Sequence, residues 1–439
     1  MAWWMLQSRK LSILTQAHIC GKRTPTDLPS ALSREPAYPR QLHETMSPSQ
    51  TVAIGSLGLT LILGSLSAFA PLSTDMYLAS FSSLAESFAT DEGRVQLSLS
   101  VFFFGLSVGQ LIYGPLVDRF GRKPPLVAGL TIFTLASAAI TVVPTVEGFI
   151  VLRLCQALGG CAGMVVSRAV VADLFDERGS ARFLSQMMLI QGLAPIVAPL
   201  LGGYILAVAP WQAIFVVLTL FGIGCLVASR ALPETLPPER RHAVGVIGIV
   251  RAFGAVLGNR AFMAPALSGA FAAACIFAFI TGSSFVYMRL HGVSQQHYGW
   301  LFGLNACGMI VASQVNRLLL RWFSTRQVMV GALVFNVTMG VVLVAMAADA
   351  PLPLLVALLM LCLSTGPLIG ANSMAIAMSQ IATHRGTASS VLGVMQFAVA
   401  SCASAAVGLL HNGTVYPMVG IILAGGMLAS LAYFMGRRA

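Results

Sequence analysis

Along most of this chain, apolar runs of about 20 residues alternate with short polar connections that carry most of the charge. A helix rises 1.5 Å per residue, so a run of about 20 residues crosses a hydrocarbon core of about 30 Å. Twelve runs of that length occur, at about 53–80, 95–117, 124–144, 148–170, 184–207, 211–230, 260–288, 296–318, 327–348, 351–377, 386–410 and 414–436. The pattern predicts an all-α polytopic membrane protein with twelve transmembrane helices in two six-helix bundles. Prolines and glycines inside the runs, such as Pro71, Pro195, Pro199, Gly202 and Gly203, point to bending and close packing, because a membrane bundle re-satisfies the backbone groups they free. The longest internal connection, 231–259, begins Pro-Glu-Thr-Leu-Pro-Pro-Glu-Arg-Arg and divides the runs six and six. The expected organisation is a disordered cytoplasmic tail (1–45), an N-terminal bundle (46–230), a cytoplasmic linker (231–259) and a C-terminal bundle (260–439), with a central cavity between the bundles.

Charge adds orientation. Arg119, Arg122, Lys123, Arg178, Arg182, Arg230, Arg240, Arg241, Arg251, Arg260, Arg317, Arg321, Arg326, Arg385, Arg437 and Arg438 fall on one side with the tail, whereas the other connections offer only Arg94 and Arg289. Positive charge accumulates on the cytoplasmic side, so both termini are expected there, in a cell inner membrane. Only 9% of the residues are charged against 57% hydrophobic, so lipid is the main solvent, and the net charge of +11 reflects topology rather than a nucleic-acid surface. The eight cysteines form no CxxC pair and the histidines lie in the tail, in connections or at run edges. Neither a metal site, a cofactor nor a histidine relay is indicated.

Ionisable residues inside apolar runs are costly and therefore functional candidates. Of fifteen acidic residues, Asp75 alone falls within a run, while Glu86, Glu92 and Glu147 are placed at connections or run edges and Asp118 and Asp173 near cytoplasmic helix ends. Gly64, Ser67, Pro71 and Asp75 recur at helical intervals, which puts Asp75 on a small-residue face. Arg153 starts about five residues into the fourth run, so a functional site competes with snorkelling to the outer interface. Burial away from water favours a neutral carboxyl and a nearby guanidinium favours an ionised one, so this pair has the chemistry for conformation-dependent proton coupling. Asn305, Asn336, Asn372, Ser373 and Gln396 are polar groups in later runs, equally suited to a cavity wall or to bonds between helices.

Between the second and third runs stands Gly114-Pro-Leu-Val-Asp118-Arg119-Phe-Gly121-Arg122-Lys123-Pro124. It resembles the G-x-x-x-D-R-x-G-R-K signature of the major facilitator superfamily, which implies a conformational latch at Gly114, Asp118, Arg119, Gly121 and Arg122. Arg153-Leu-Cys-Gln156 resembles the superfamily's R-x-x-Q-G element, with Ala157-Leu158 where glycine is usual, and implies proton handling by Arg153. Gly192-Leu-Ala-Pro195-Ile-Val-Ala198-Pro199-Leu-Leu-Gly202-Gly203 resembles the antiporter signature G-P-x-x-G-G of drug exporters, with Ala198 in place of the first glycine; it implies a hinge at Pro195, Pro199, Gly202 and Gly203. Asp75-Met-Tyr77-Leu-Ala79 is similar to the D-M-Y-L-P element of the bicyclomycin and chloramphenicol resistance (Bcr/CflA) subfamily of drug:proton antiporters. The resemblance, which extends over about 50–436, implies a substrate cavity drawing on Tyr77, Gln156, Asn305, Asn372 and Gln396.

The expected function is export of structurally varied small molecules in exchange for protons by alternating access, by a protein working as a monomer. The alternative is an exporter of a single metabolite class, such as an amino acid, on the same fold. No HExxH element, His or Cys ligand cluster, or phosphate-binding glycine loop followed by lysine is present, which argues against a membrane enzyme and an ATP-driven pump.

Overall fold

Pro71 lacks the N–H that a helix interior needs but is tolerated in a first turn, where that group has no partner anyway. The first run breaks accordingly. In the computed structural model, which describes residues 56–175, 177–241, 246–381 and 385–436, helix 1 is assembled from Ser56–Ser67, Phe69–Asp75, a 3-10 turn at Leu78–Ser80 and Phe81–Ser87. Its two parts meet at 48°. Helices 2 to 6 are Glu92–Phe120, Lys123–Ile140, Val146–Leu174, Glu177–Val208 and Gln212–Ser229. Helix 7, Arg260–Ser284, continues as a π-helical turn at Phe285–Leu290; helices 8 and 9 are Gln295–Leu319 and Thr325–Met346. Helix 10 is Leu352–Leu363 continued by Thr365–Ser379, and helices 11 and 12 are Arg385–Leu409 and Tyr416–Gly436.

Side chains at the ends explain several starts. Asp91 accepts from the Arg94 N–H at 2.9 Å, Thr145 from Gly148 at 3.2 Å, and Ser324 from Gln327 at 3.3 Å, each pairing a donor that a first turn leaves free. Nine helices among the described residues are long and apolar enough to cross a membrane, and the bent helix 1, taken as one span, makes a tenth. Helix 5 contributes a shorter apolar stretch, Gly192–Val208. Helix 8 carries Gln295, Gln296, His297, Asn305, Gln314 and Asn316 among its apolar residues. Val216, Leu220, Ile223 and Val227 of helix 6 stay exposed at helical intervals, forming a face for lipid.

The predicted linker differs from expectation. Val246–Leu257 is an apolar helix that packs on helices 7 and 11, so 231–259 is not polar chain throughout. The predicted tail, 1–45, lies outside the described residues. Helix 2 packs on helix 4, helix 3 on helices 4 and 6, and helix 1 on helices 4 and 5; helix 7 packs on helices 10, 11 and 12, and helix 9 on helices 10 and 12. The first six helices meet the last six chiefly along two seams, helix 2 with helix 11 and helix 5 with helix 8.

Candidate transport site

Where helix 1 breaks after Asp75, its last carbonyls lose their partners along the helix. Arg153 takes one of them: its Nη2 donates to the Ser73 carbonyl at 2.9 Å. Nη1 donates to Gln156 Oε1, and Gln156 Nε2 donates in turn to Ser137 Oγ at 2.7 Å. The guanidinium carbon lies 4.2 Å from the centre of the Tyr77 ring and 4.3 Å from that of Phe102. Arg153 has no exposed surface, so it does not snorkel. Two aromatic faces and a fork of acceptors hold a buried cation that is otherwise costly.

Asp75 is also buried, at 3% exposure, and accepts from Thr74 Oγ1 at 2.8 Å. No ion pair joins it to Arg153; the two are linked through the helix 1 break, because Arg153 bonds to Ser73 two residues before Asp75. Helix 5 presses on the same break. A Cβ on Gly202 would stand 1.9 Å from the Met76 carbonyl oxygen, and one on Gly203 would stand 2.5 Å from the Gln295 carbonyl oxygen of helix 8. A Cβ on Gly299 of helix 8 would in turn meet the Pro199 carbonyl oxygen at 2.9 Å. The Pro199–Gly203 stretch is thus wedged between the Asp75 break and the C-terminal half. Pro195, half-buried, lies one turn earlier.

The expected cavity residues scatter. Tyr77 and Gln156 have no exposed surface; Tyr77 meets Ser98 at 3.2 Å, and both support Arg153 instead of lining an open cavity. Asn305 is buried and donates to Tyr287 at 3.3 Å and to the Leu301 carbonyl, leaving Oδ1 unpartnered. Asn372 is buried and donates to Asn316 Oδ1 and the Leu368 carbonyl, both at 2.8 Å. Gln396 is exposed. Beside it, Phe397 and Phe277 are half-buried and meet Phe103 across the seam, with ring centres 6.5 and 4.6 Å away.

At the arginine-rich end, Arg122 is the hub. It donates to Asp173 from Nε at 2.9 Å and Nη2 at 3.2 Å, and to Asp118 from Nη1 at 2.6 Å. Burial disfavours its charge, but the bonds to Asp173 and Asp118 outweigh that and raise its proton affinity above the ordinary value. Glu234 accepts from the backbone N–H groups of Arg122 and Lys123 at 2.8 and 3.0 Å, as a carboxylate at a helix start does. Gly121 takes φ +92, and a Cβ there would stand 2.7 Å from Glu234 Oε2, so a glycine is required twice over. Arg119 instead lies 5.2 Å from the Phe120 ring centre. Sequence reasoning missed Asp173 and Glu234 as partners, and their spacing of 51 and 112 residues from Arg122 left no local signal.

The helix 2 and helix 11 seam is not equally close along its length. Ser100 bonds to Ser404 at 2.9 Å and Ser107 to the Val394 carbonyl at 3.0 Å, and a Cβ on Gly393 would stand 2.0 Å from Gln110 Oε1. Farther toward the arginine-rich end, a Cβ on Gly114 of helix 2 or Gly386 of helix 11 would meet nothing within 4 Å. Among the described residues no group of three or more His, Cys, Asp or Glu side chains is placed to hold a metal.

The family model for the Major Facilitator Superfamily matches residues 63–406. An uncharacterised MFS-type transporter of Bacillus subtilis, YdgK, is 34% identical over 86% of this chain and 95% of its own length. A bicyclomycin resistance protein homolog of Haemophilus influenzae is 32% identical over 85% and 94% of the two chains. The multidrug resistance protein MdtL of Escherichia coli is 27% identical over 82% and 91%. Among solved structures, a bacterial homolog of the human lysosomal transporter Spinster, inward-facing and unoccupied, aligns with TM-score 0.69 at 14% identity over 90% of this chain and 98% of that one. A D-xylose-proton symporter aligns with the same score, 0.69, at 13% identity over 87% and 96%. The chain belongs to the Major Facilitator Superfamily, in its Bcr/CflA group.

Proposed function

We propose that this protein exports structurally varied, mainly amphiphilic small molecules from the cytoplasm in exchange for protons, with Asp75 as the proton-binding carboxylate and Arg153 as the cation that positions the break beside it. The observation that carries the reading is the buried Asp75 at a helix break held by Arg153 on one side and by Gly202 on the other. A carboxylate at such a joint changes its surroundings when the halves move, which is what coupling a proton to a conformational cycle needs. The arginine-rich end is taken as cytoplasmic, with both termini there and the membrane the inner one. The structure is then the inward-open state, and 46–230 and 260–439 are the two moving bundles joined by 231–259. The half-buried rings of Phe277 and Phe397 supply apolar contact for amphiphilic cargo, in line with the resistance named for the Haemophilus and Escherichia relatives.

The test is efflux by purified protein in liposomes under an imposed pH gradient, with neutral drugs as cargo. Wild-type protein is expected to move drug uphill and to stop when a protonophore collapses the gradient. Asp75→Asn is expected to bind drug and to move none uphill. Undiminished uphill transport by Asp75→Asn would remove Asp75 from the mechanism, and transport of one metabolite only would favour the single-substrate reading.

A further inference from the structure

Glu92 opens helix 2 at the arginine-poor end, a position at which a carboxylate is ordinarily solvated. Here the residue is only 7% exposed. Its Oε1 accepts from Ser82 Oγ at 2.7 Å and from Arg289 Nε at 3.0 Å, and its Oε2 is buried with no partner. Arg289 belongs to the π-helical turn that ends helix 7, so this ion pair joins the N-terminal half to the C-terminal half. The contact lies where the halves pack closely. A Cβ on Gly93 would meet the Gly408 carbonyl oxygen at 2.7 Å, and Gln295 Nε2 donates to Ser83 at 3.3 Å. Other charges nearby are accounted for. Glu86 stands 3.9 Å from Arg289, Asp91 caps the Arg94 N–H, and the Arg94 guanidinium pairs with Glu147 at 3.1 Å. His297 bonds to Ser294, and His411, whose Cβ a side chain on Gly93 would meet at 3.1 Å, sets its ring 4.5 Å from that of Phe285.

We propose that Glu92 and Arg289 lock the arginine-poor end and that Glu92 is a second proton-binding carboxylate, loaded from water on that side when the lock opens. The proposal rests on the alternating-access reading above. A guanidinium beside a carboxylate favours its ionised form, and that support is lost when the two separate. As the halves part, Arg289 leaves with helix 7, Glu92 stays with helix 2, and a proton from bulk water on that side converts its carboxylate to a carboxylic acid. The acid no longer attracts Arg289, so acidity on that side holds the end open. Closing returns the proton to the same water and restores the pair. Asp75 would carry the transported proton, while Glu92 sets how readily the outer end opens at a given acidity.

Hydrogen exchange of the full-length protein in lipid nanodiscs, without substrate, reads this directly and independently of whether any drug is carried. Peptides covering 82–96 and 285–297 are followed at mildly alkaline and mildly acidic pH, with times scaled for the intrinsic pH dependence of exchange. In wild-type protein, protection is expected to fall about tenfold or more on acidification. Glu92→Gln, which mimics the protonated form in size, is expected to exchange at the fast rate at both pH values, and the double swap Glu92→Arg with Arg289→Glu is expected to recover protection at alkaline pH. Unchanged protection in Glu92→Gln would overturn the lock. A pH response that survives in Glu92→Gln and vanishes in His411→Gln would assign the switch to the histidine and overturn the proton site. Equal thermal unfolding of the variants, and unchanged exchange in helices 3 and 9, separate a local opening from general destabilisation.

Discussion

Arg153 is held by its geometry as much as by its charge. Two acceptors, the Ser73 carbonyl and Gln156 Oε1, use separate ends of the guanidinium fork, while Tyr77 and Phe102 cover its faces. A lysine keeps the charge but offers no planar fork, so one buried acceptor loses its donor, at a cost of about 1–3 kcal/mol. Arg153→Lys is therefore expected to be less stable to heat than wild type and to retain a fraction of coupled transport. Arg153→Ala, which empties the space between two rings, is expected to retain almost none. Equal transport by both variants would show that neither the fork nor the charge matters. That Asp75 and Arg153 were readable from sequence follows from how rarely charge enters an apolar run. Their surroundings were not readable. A backbone carbonyl 80 residues away carries no mark in residue type, and a resemblance gives a residue's place in a motif but not its depth, which is why Tyr77 and Gln156 emerge as supports of Arg153 and not as cavity wall.

Helices show the same division between what pattern carries and what packing decides. Apolar length gave the helical segments in order, because crossing a bilayer imposes a length that composition must satisfy. The breaks at Asp75 and at Ser364 were invisible to that count, since a break within a run leaves the run apolar. The apolar linker helix Val246–Leu257 was hidden for the opposite reason: at 12 residues it is too short to register as a span, yet long enough to pack on helices 7 and 11. Small residues were read as close contacts, and the structure separates those that are from those that are not. Gly202 has no room for a Cβ against Met76, whereas a Cβ on Gly192, in the same helix, would meet nothing within 4 Å. Gly202→Ala is expected to push helix 5 away from the Asp75 break and to destabilise the protein by about 1–3 kcal/mol. Gly192→Ala should be neutral or stabilising by up to about 1 kcal/mol, from helix propensity. Thermal unfolding of the two variants side by side checks this, and equal stability would mean that helices 1 and 5 do not meet as closely as Met76 and Gly202 require.

At the scale of the whole molecule, the two halves are joined along one stretch of the helix 2 and helix 11 seam, and the inward-open reading parts them at the other end. From Gly93 to Gln110 the seam is closed over about 25 Å of helix, taking 1.5 Å per residue. Beyond it, a Cβ on Gly114 or Gly386 would meet nothing within 4 Å. The Arg122 hub lies on the parted side, tying helices 2, 3, 4 and the start of the linker within one half. Asp118, with its side chain 60% exposed, contributes about 1 kcal/mol or less to that hub here. Asp118→Asn is therefore expected to insert and unfold as wild type does, since Arg122 keeps Asp173, and yet to transport more slowly if the carboxylate is used when this end closes. Gly114 gives the sharper test. In the present state a Cβ there would meet nothing within 4 Å, and the helix preference gained over glycine is offset by the strain of standing before Pro115, so stability should change by about 1 kcal/mol at most. When the parted end closes, helix 11 must approach helix 2 along the line where Gly393 already meets Gln110, and any side chain at 114 then stands in its path. Gly114→Ala and Gly114→Leu are expected to bind drug and unfold like wild type, while turnover falls with the size of the side chain, by about tenfold or more for leucine. Wild-type turnover in Gly114→Leu would mean that the seam never closes at this end, and the two halves would then have to exchange access by some other movement.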